Sequence, residues 1–235
     1  NERICNQTYE MAKPTIDMCE DYLVIYDKKG TQIYIMTSQG LVSNIETTMT
    51  IEQVSIAAQG TVAVLMGDQS NSYLVVYDKN GKELVNGAIY GEDGGYPIAI
   101  ALSNDAIKLA VSMLDINDGN VKTTIAFYNF GSVGENEIDR IVSANSFSDM
   151  VIPQLDFVSD DRMVAYGDSE IAIFEGTQKP KLTQEIPLTG EAKSIFNNNK
   201  YVGVVYSNND ENLTHHVAVY DMHGFTVMEK DFSQE

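Results

Sequence analysis

Four carboxylates lie where a repeated chain could bring them to one place: Asp17, Glu52, Asp156 and Glu191. Paired Asp or Glu side chains with separated pKa values are the working parts of glycoside hydrolysis. The plainer reading is a set of polar groups around a solvated channel. A second candidate, Asp115-Ile116-Asn117-Asp118-Gly119-Asn120, opens like a calcium loop. Such a loop needs oxygen ligands at alternate positions and a bidentate Glu at the twelfth. Here the fifth position is Gly119 and the twelfth is Ala126, so a solvated hairpin is expected. Glu92-Asp93-Gly94-Gly95 and Ser207 to Asn212 read as loops in the same way. The histidines are His215, His216 and His223. Neighbours on a strand point to opposite faces, so His215 and His216 cannot chelate one ion, and zinc needs more convergent ligands. No metal and no cofactor are expected. Neither Gly-x-Ser-x-Gly nor Ser-x-x-Lys gives a credible active serine, and no dinucleotide fingerprint or P-loop is present. Cys5 and Cys19 have no histidine close in sequence to activate them; they either pair or fill small buried sites.

The elements that would position these groups are short strands. Hydrophobic residues make up 43% of the 235-residue chain, enough for a substantial core. No apolar run approaches the roughly 18 residues that span a bilayer. Net charge is −19, from 34 acidic and 15 basic residues, which disfavours nucleic acid and bare anionic membranes. An acidic surface also keeps β-rich proteins soluble. No sustained 3.6-residue apolar period occurs, so helices should be few and short.

Tyr73-Leu74-Val75-Val76-Tyr77 followed by Asp78-Lys79-Asn80-Gly81 and Glu83 to Ile89 is a strand, a turn and a strand. The pattern recurs. Turn glycines Gly40, Gly81, Gly131, Gly176 and Gly224 are separated by 41, 50, 45 and 48 residues, and Gly suits a turn that needs positive φ. Each unit holds four short strands, a to d. The units run approximately over 14–50, 51–95, 96–150, 151–189 and 190–235, and Arg3 to Met11, within 1–13, reads as a strand of a preceding blade. Repeated four-strand units of about 40–50 residues are the signature of a β-propeller. A β-sandwich would not give the same order five times. The expected fold is all-β, a propeller of about five four-stranded blades. Strand a, small and apolar in Ser55-Ile56-Ala57-Ala58 and Ala99-Ile100-Ala101-Leu102, should line the channel; strand d should be outermost and polar. The first unit's Tyr22 to Gly30 resembles a c–d turn but is assigned to strand b, because Ile33 to Met36 and Leu41 to Ile45 still follow it.

Cys5-Asn6-Gln7-Thr8-Tyr9-Glu10-Met11, Gly30 to Met36 with Gly40-Leu41-Val42, and Phe127 to Gly131 with Asp139-Arg140-Ile141-Val142 carry a likeness. Through them the chain resembles an uncharacterised propeller-like family of anaerobic Gram-positive bacteria, whose members have an N-terminal membrane anchor. The resemblance implies an extracytoplasmic domain, membrane-anchored or secreted, with the anchor upstream. It also implies a chain that continues beyond both ends, so that five units form an arc of a larger ring. It carries no catalytic motif. Without any Trp, the Trp-Asp repeat and Trp-rich docking motifs of better-known propellers are absent.

Asn6-Gln7-Thr8 and Asn212-Leu213-Thr214 fit the glycosylation acceptor pattern and mark exposed loops. The favoured expectation is a non-catalytic binding or scaffold propeller with a protein or carbohydrate partner in the envelope. The alternative is a carbohydrate-active enzyme using Asp17, Glu52, Asp156 and Glu191, which come from four units at or beside strand a.

Overall fold

β-Branched and aromatic runs closed by Gly, Asn and Asp dictate short antiparallel strands, and that is what a computed structural model of the chain contains. It describes residues 10–68, 71–89, 95–207 and 215–233. The first sheet is β1 (Pro14–Cys19), β2 (Tyr22–Asp27), β3 (Gln32–Thr37) and β4 (Gly40–Glu46). The second is β5 (Thr50–Ile56), β6 (Val62–Gly67), β7 (Ser72–Tyr77) and β8 (Glu83–Ile89). The third is β9 (Tyr96–Leu102), β10 (Lys108–Asn117), β11 (Asn120–Asn129) and β12 (Ile141–Ser148). The fourth is β13 (Gln154–Ser159), β14 (Arg162–Tyr166), β15 (Glu170–Glu175) and β16 (Lys181–Pro187). The fifth is β17 (Ala192–Asn197), β18 (Tyr201–Ser207), β19 (His215–Asp221) and β20 (Thr226–Phe232). Five four-stranded sheets, each a meander in sequence order, make a β-propeller. Tyr22–Asp27 is strand b, as assigned.

The Asp of the Tyr-Asp-x-x-Gly turns has a definite task. Asp78 Oδ1 accepts from the backbone N–H of Asn80 and Lys82, both at 2.9 Å. Asp221 Oδ1 accepts from His223 and Phe225 at 2.9 and 3.0 Å. Gly81 and Gly224 complete the two turns at φ 83°. In the first blade Asp27 instead holds Lys13 N–H at 2.7 Å, which marks a different turn.

The third blade departs from the expected pattern. Gly131 is not at positive φ. Two 3-10 turns, Gly134–Asn136 and Ile138–Arg140, replace the tight turn there. Asp139 and Arg140 take the left-handed conformation, at φ 52° and 62°. The fourth strand therefore begins only at Ile141, after both turns. β10 and β11 extend through Asp115 to Asn120, so the calcium-like sequence is a long hairpin closed by Asp118-Gly119. The expected strand Arg3 to Met11 lies outside the described residues but for Glu10 and Met11, which form no strand. Cys5, Asn6 to Thr8, and Asn212 to Thr214 also lie outside them, as do most of the loops Glu92 to Gly95 and Ser207 to Asn212.

Blades pack face to face. One apolar cluster joins blades 1 and 2 through Val24, Ile33, Ile35, Val54 and Val64. A second joins blades 2 and 3 through Leu65, Val76, Ile100 and Leu109. A third joins blades 3 and 4 through Phe127, Ile152, Met163 and Phe174; the Phe127 and Phe174 rings are tilted, with centroids 5.1 Å apart. The last joins blades 4 and 5 through Val164, Ile173, Val202 and Val204. Among the described residues no apolar cluster joins blade 5 to blade 1.

Candidate functional site

The inner strands surround a channel of about 780 Å³, walled by β1, β5, β9 and β13, with Asn197 alone from the fifth blade. Strand alternation decides which side chains meet their neighbours. Asp17 sits mid-β1, where its carboxylate meets the edge of β5. Its Oδ2 accepts from Ile56 N–H at 2.9 Å and its Oδ1 from Met18 N–H at 2.9 Å. Ser55, next to last in β5, accepts from Leu102 N–H at 3.0 Å in the next blade. Gln53 bonds the backbone of Ile100 twice, donating at 3.1 Å and accepting at 2.9 Å. Asp156 in β13 accepts from Gln154 Nε2 and Asn197 Nδ2, both at 2.9 Å. Asn197 Nδ2 also donates to the Tyr166 hydroxyl at 2.8 Å. Polar residues of the inner strands thus latch blade 1 to blade 2, blade 2 to blade 3 and blade 4 to blade 5.

Electrostatics follow from this burial. Desolvation pushes Asp17 above the ordinary carboxylate range, against the lowering hydrogen bonds of Ile56, Met18 and Ser55. Asp156 is pushed up the same way, and the Asp17 charge adds to it. Burial and the Asp156 charge raise Tyr166. Burial, with Glu20 and Asp17, pushes the Cys19 thiol up to about 11, so at neutral pH it is protonated and a poor nucleophile.

The four carboxylates have different fates. Asp17 and Asp156 share the channel, and the Asp17 charge helps raise Asp156. Glu52 lies at the channel edge and pairs with Lys29 of the first blade. Glu191 is not brought to the channel: it precedes β17, is exposed, and pairs with Lys193 at 2.8 Å. The link before β17 turns it outward. Of the histidines, His216 bonds Asp231 through Nδ1 at 2.8 Å and Glu229 through Nε2 at 3.0 Å. No cluster of His, Cys, Asp and Glu suited to a metal occurs among the described residues.

Sequence reading missed the amide and hydroxyl partners: Gln53, Ser55, Gln154, Tyr166 and Asn197. Ser55 and Asp156 share Asp17's position in strand a, which is a usable signal. Asn197 opens a run of three asparagines, a pattern that by itself signals a turn. Lys108 was also missed. It is only 1% exposed, with Nζ 3.4 Å from both Asp105 and Asp161 and 3.0 Å from the Thr177 carbonyl, so it ties blade 3 to blade 4. A second hollow of about 500 Å³ lies where the a–b turns converge, lined by Glu20, Gln59, Asn104, Asp105, Asp160 and Asn199. Chemically, channel and mouth offer hydrogen-bonding and acidic groups to a polar or cationic ligand.

Among solved structures the chain is similar to a Kluyveromyces lactis Hsv2 with loop 6CD replaced by a Gly-Ser linker: TM-score 0.51, 18% identity, 73% of this chain and 58% of that one. A eukaryotic initiation factor gives TM-score 0.50 and 9% identity over 97% of this chain and 67% of that one. BamB from Moraxella catarrhalis gives 0.46 and 11% over 93% and 76%. The chain thus spans less than two thirds of the Hsv2 length. At these identities the likeness is one of fold. Among curated proteins no sequence matches. A family model described as a family of unknown function, DUF5711, matches residues 1–235.

Proposed function

The chain belongs to this family of unknown function, DUF5711, and from that premise we propose that it is a non-catalytic binding or scaffold propeller of the bacterial cell envelope. It engages a protein or carbohydrate partner through its channel mouth and loops. The observation that carries this reading is the state of the channel carboxylates. Both oxygens of Asp17 and one of Asp156 already accept hydrogen bonds within the fold. A general acid or nucleophile must instead reach a bond of the substrate. The envelope setting rests on the family resemblance and its upstream anchor, and an acidic surface suits a partner with exposed Lys and Arg.

A second reading keeps one observation of its own: Asp17 and Asp156 both hold protons above the usual carboxylate range in one channel. It makes them the acid and base of glycoside hydrolysis. One pair of measurements separates the two. A photo-crosslinking residue at Gln59, Asn104 or Asn199 should capture a discrete adduct in the native cell, and one at Thr183 on the outer β16 should not. Equal capture at both places would remove the binding reading. Release of reducing sugar from wall or plant polysaccharides, abolished by Asp156→Asn, would establish the enzyme instead.

A further inference from the structure

Between the second and third blades, toward their outer strands, lies a hollow of about 460 Å³ that shares no lining residue with the channel or its mouth. A missing side chain opens it. Val85, Gly87 and Ile89 alternate onto one face of β8, and Leu74 lies opposite Gly87 in β7. A Cβ on Gly87 would meet nothing within 4 Å, so the interblade core is left unfilled there. Leu74, Val85, Ile89, Phe130 and Ile141 supply apolar walls. The polar lining is Tyr128, Asp139 and Arg140. Asp139 and Arg140 belong to the second 3-10 turn, both in the left-handed conformation. The link that replaces the third blade's tight turn thus brings a carboxylate and a guanidinium to the hollow. Among the described residues neither side chain forms a hydrogen bond or an ion pair, and the Tyr128 hydroxyl has no hydrogen-bond partner. Arg162, by contrast, is held by Glu175 at 2.6 Å. Burial and the Asp139 charge raise the Tyr128 phenol above its usual range, so it remains a donor.

We propose that this hollow binds a free apolar α-amino acid such as leucine. The Arg140 guanidinium and the Tyr128 hydroxyl take its carboxylate, Asp139 takes its ammonium, and the apolar walls take its side chain. Charge decides the class. Net charge −19 repels a simple anion, and a simple cation leaves Arg140 unanswered. A zwitterion answers both side chains and brings no net charge. Charge-assisted hydrogen bonds are the stronger kind, and apolar surroundings strengthen them further. Size agrees, since about 460 Å³ lies in the lower part of the roughly 300–1,000 Å³ typical of small-molecule sites. A long peptide fits less well, because its two charged ends lie far apart while Asp139 and Arg140 are adjacent.

Isothermal titration of the full chain with L-leucine tests this. Saturable binding is expected below about 1 mM, within reach of a ligand of this size. Isocaproate, which lacks the ammonium, and isopentylamine, which lacks the carboxylate, should each bind at least about tenfold more weakly. Arg140→Gln should weaken leucine by a similar factor. Gly87→Val adds a side chain where the structure has open space and touches none of the polar groups. It should abolish binding while the circular dichroism melting midpoint stays at or above that of the unmodified chain. Absence of saturable heat with leucine and phenylalanine at about 10 mM would overturn the assignment. Leucine binding that survives Gly87→Val unchanged would place the ligand elsewhere and overturn it as well. Isocaproate binding as tightly as leucine would remove the role of Asp139 and with it the amino-acid class.

Discussion

Single polar side chains in this molecule chiefly join blades, and their charge states follow. Burial raises Asp17 and Asp156 above 3.8, and the Asp231 and Glu229 bonds raise His216 above 6.5. In each case the fold keeps its proton to higher pH than the unfolded chain. Stability is therefore full below the unfolded value and falls as pH rises through the folded one. For the aspartates that fall begins near 3.8, and for His216 near 6.5. Asp78, held low by the Lys82 N–H, and Asp105, whose burial is outweighed by Ser103, Ile107 and Lys108, act oppositely and lose their contribution as pH falls below the ordinary range. The melting midpoint at about pH 5.5 should exceed that at about pH 8 at fixed ionic strength, and His216→Gln should shrink the difference. Equal wild-type midpoints by circular dichroism would contradict this. Lys108 gives a second residue-scale expectation. Lys108→Ala deletes a buried stem between two blades and should cost about 2–4 kcal/mol in urea unfolding. Lys108→Met, which keeps the stem, should cost less, because Asp105 and Asp161 are 28% and 51% exposed and stay hydrated.

At the scale of elements, strand existence and order were readable because period-2 burial and turn chemistry are local. The third blade shows where local signals stop. Gly131 read as one more tight turn, yet the link folds as two 3-10 turns against Asn129. Gly134 is the residue that lets it: a Cβ there would lie 1.8 Å from the Asn129 carbonyl oxygen. Gly134→Ala should destabilise by about 3 kcal/mol or more, because backbone and not a movable side chain stands in the way. Gly87 in β8 has no atom within 4 Å of such a Cβ, so Gly87→Ala should be neutral or stabilise by about 0.5 kcal/mol. Chemical denaturation of the two variants side by side checks the contrast, and equal losses would refute it.

For the whole molecule, net charge −19 sets up self-repulsion that salt screens. Raising sodium chloride from about 0.02 to 0.5 M should raise the melting midpoint by a few degrees, through a Debye length that shrinks to a few ångströms. A midpoint that falls with salt would mean that ion pairs such as Arg162 with Glu175 outweigh the repulsion. Scale also matters for the channel. Its carboxylates come from separate blades, and only the ring brings Asp17 within the field of Asp156.

The sequence by itself determined the strands, their order within each blade and the propeller, because alternation and Gly- or Asp-ended turns act over a few residues. It also placed Asp17, Glu52, Asp156 and Glu191 in or beside strand a of four separate units. Only the tertiary structure decided that Glu191 leaves the channel, that Lys108 is buried, and that Gln53, Ser55 and Asn197 are the interblade latches. Those outcomes depend on how one sheet face meets the next, at sequence separations such as the 47 residues between Gln53 and Ile100. Sheet packing at that range leaves no local pattern in the chain to read.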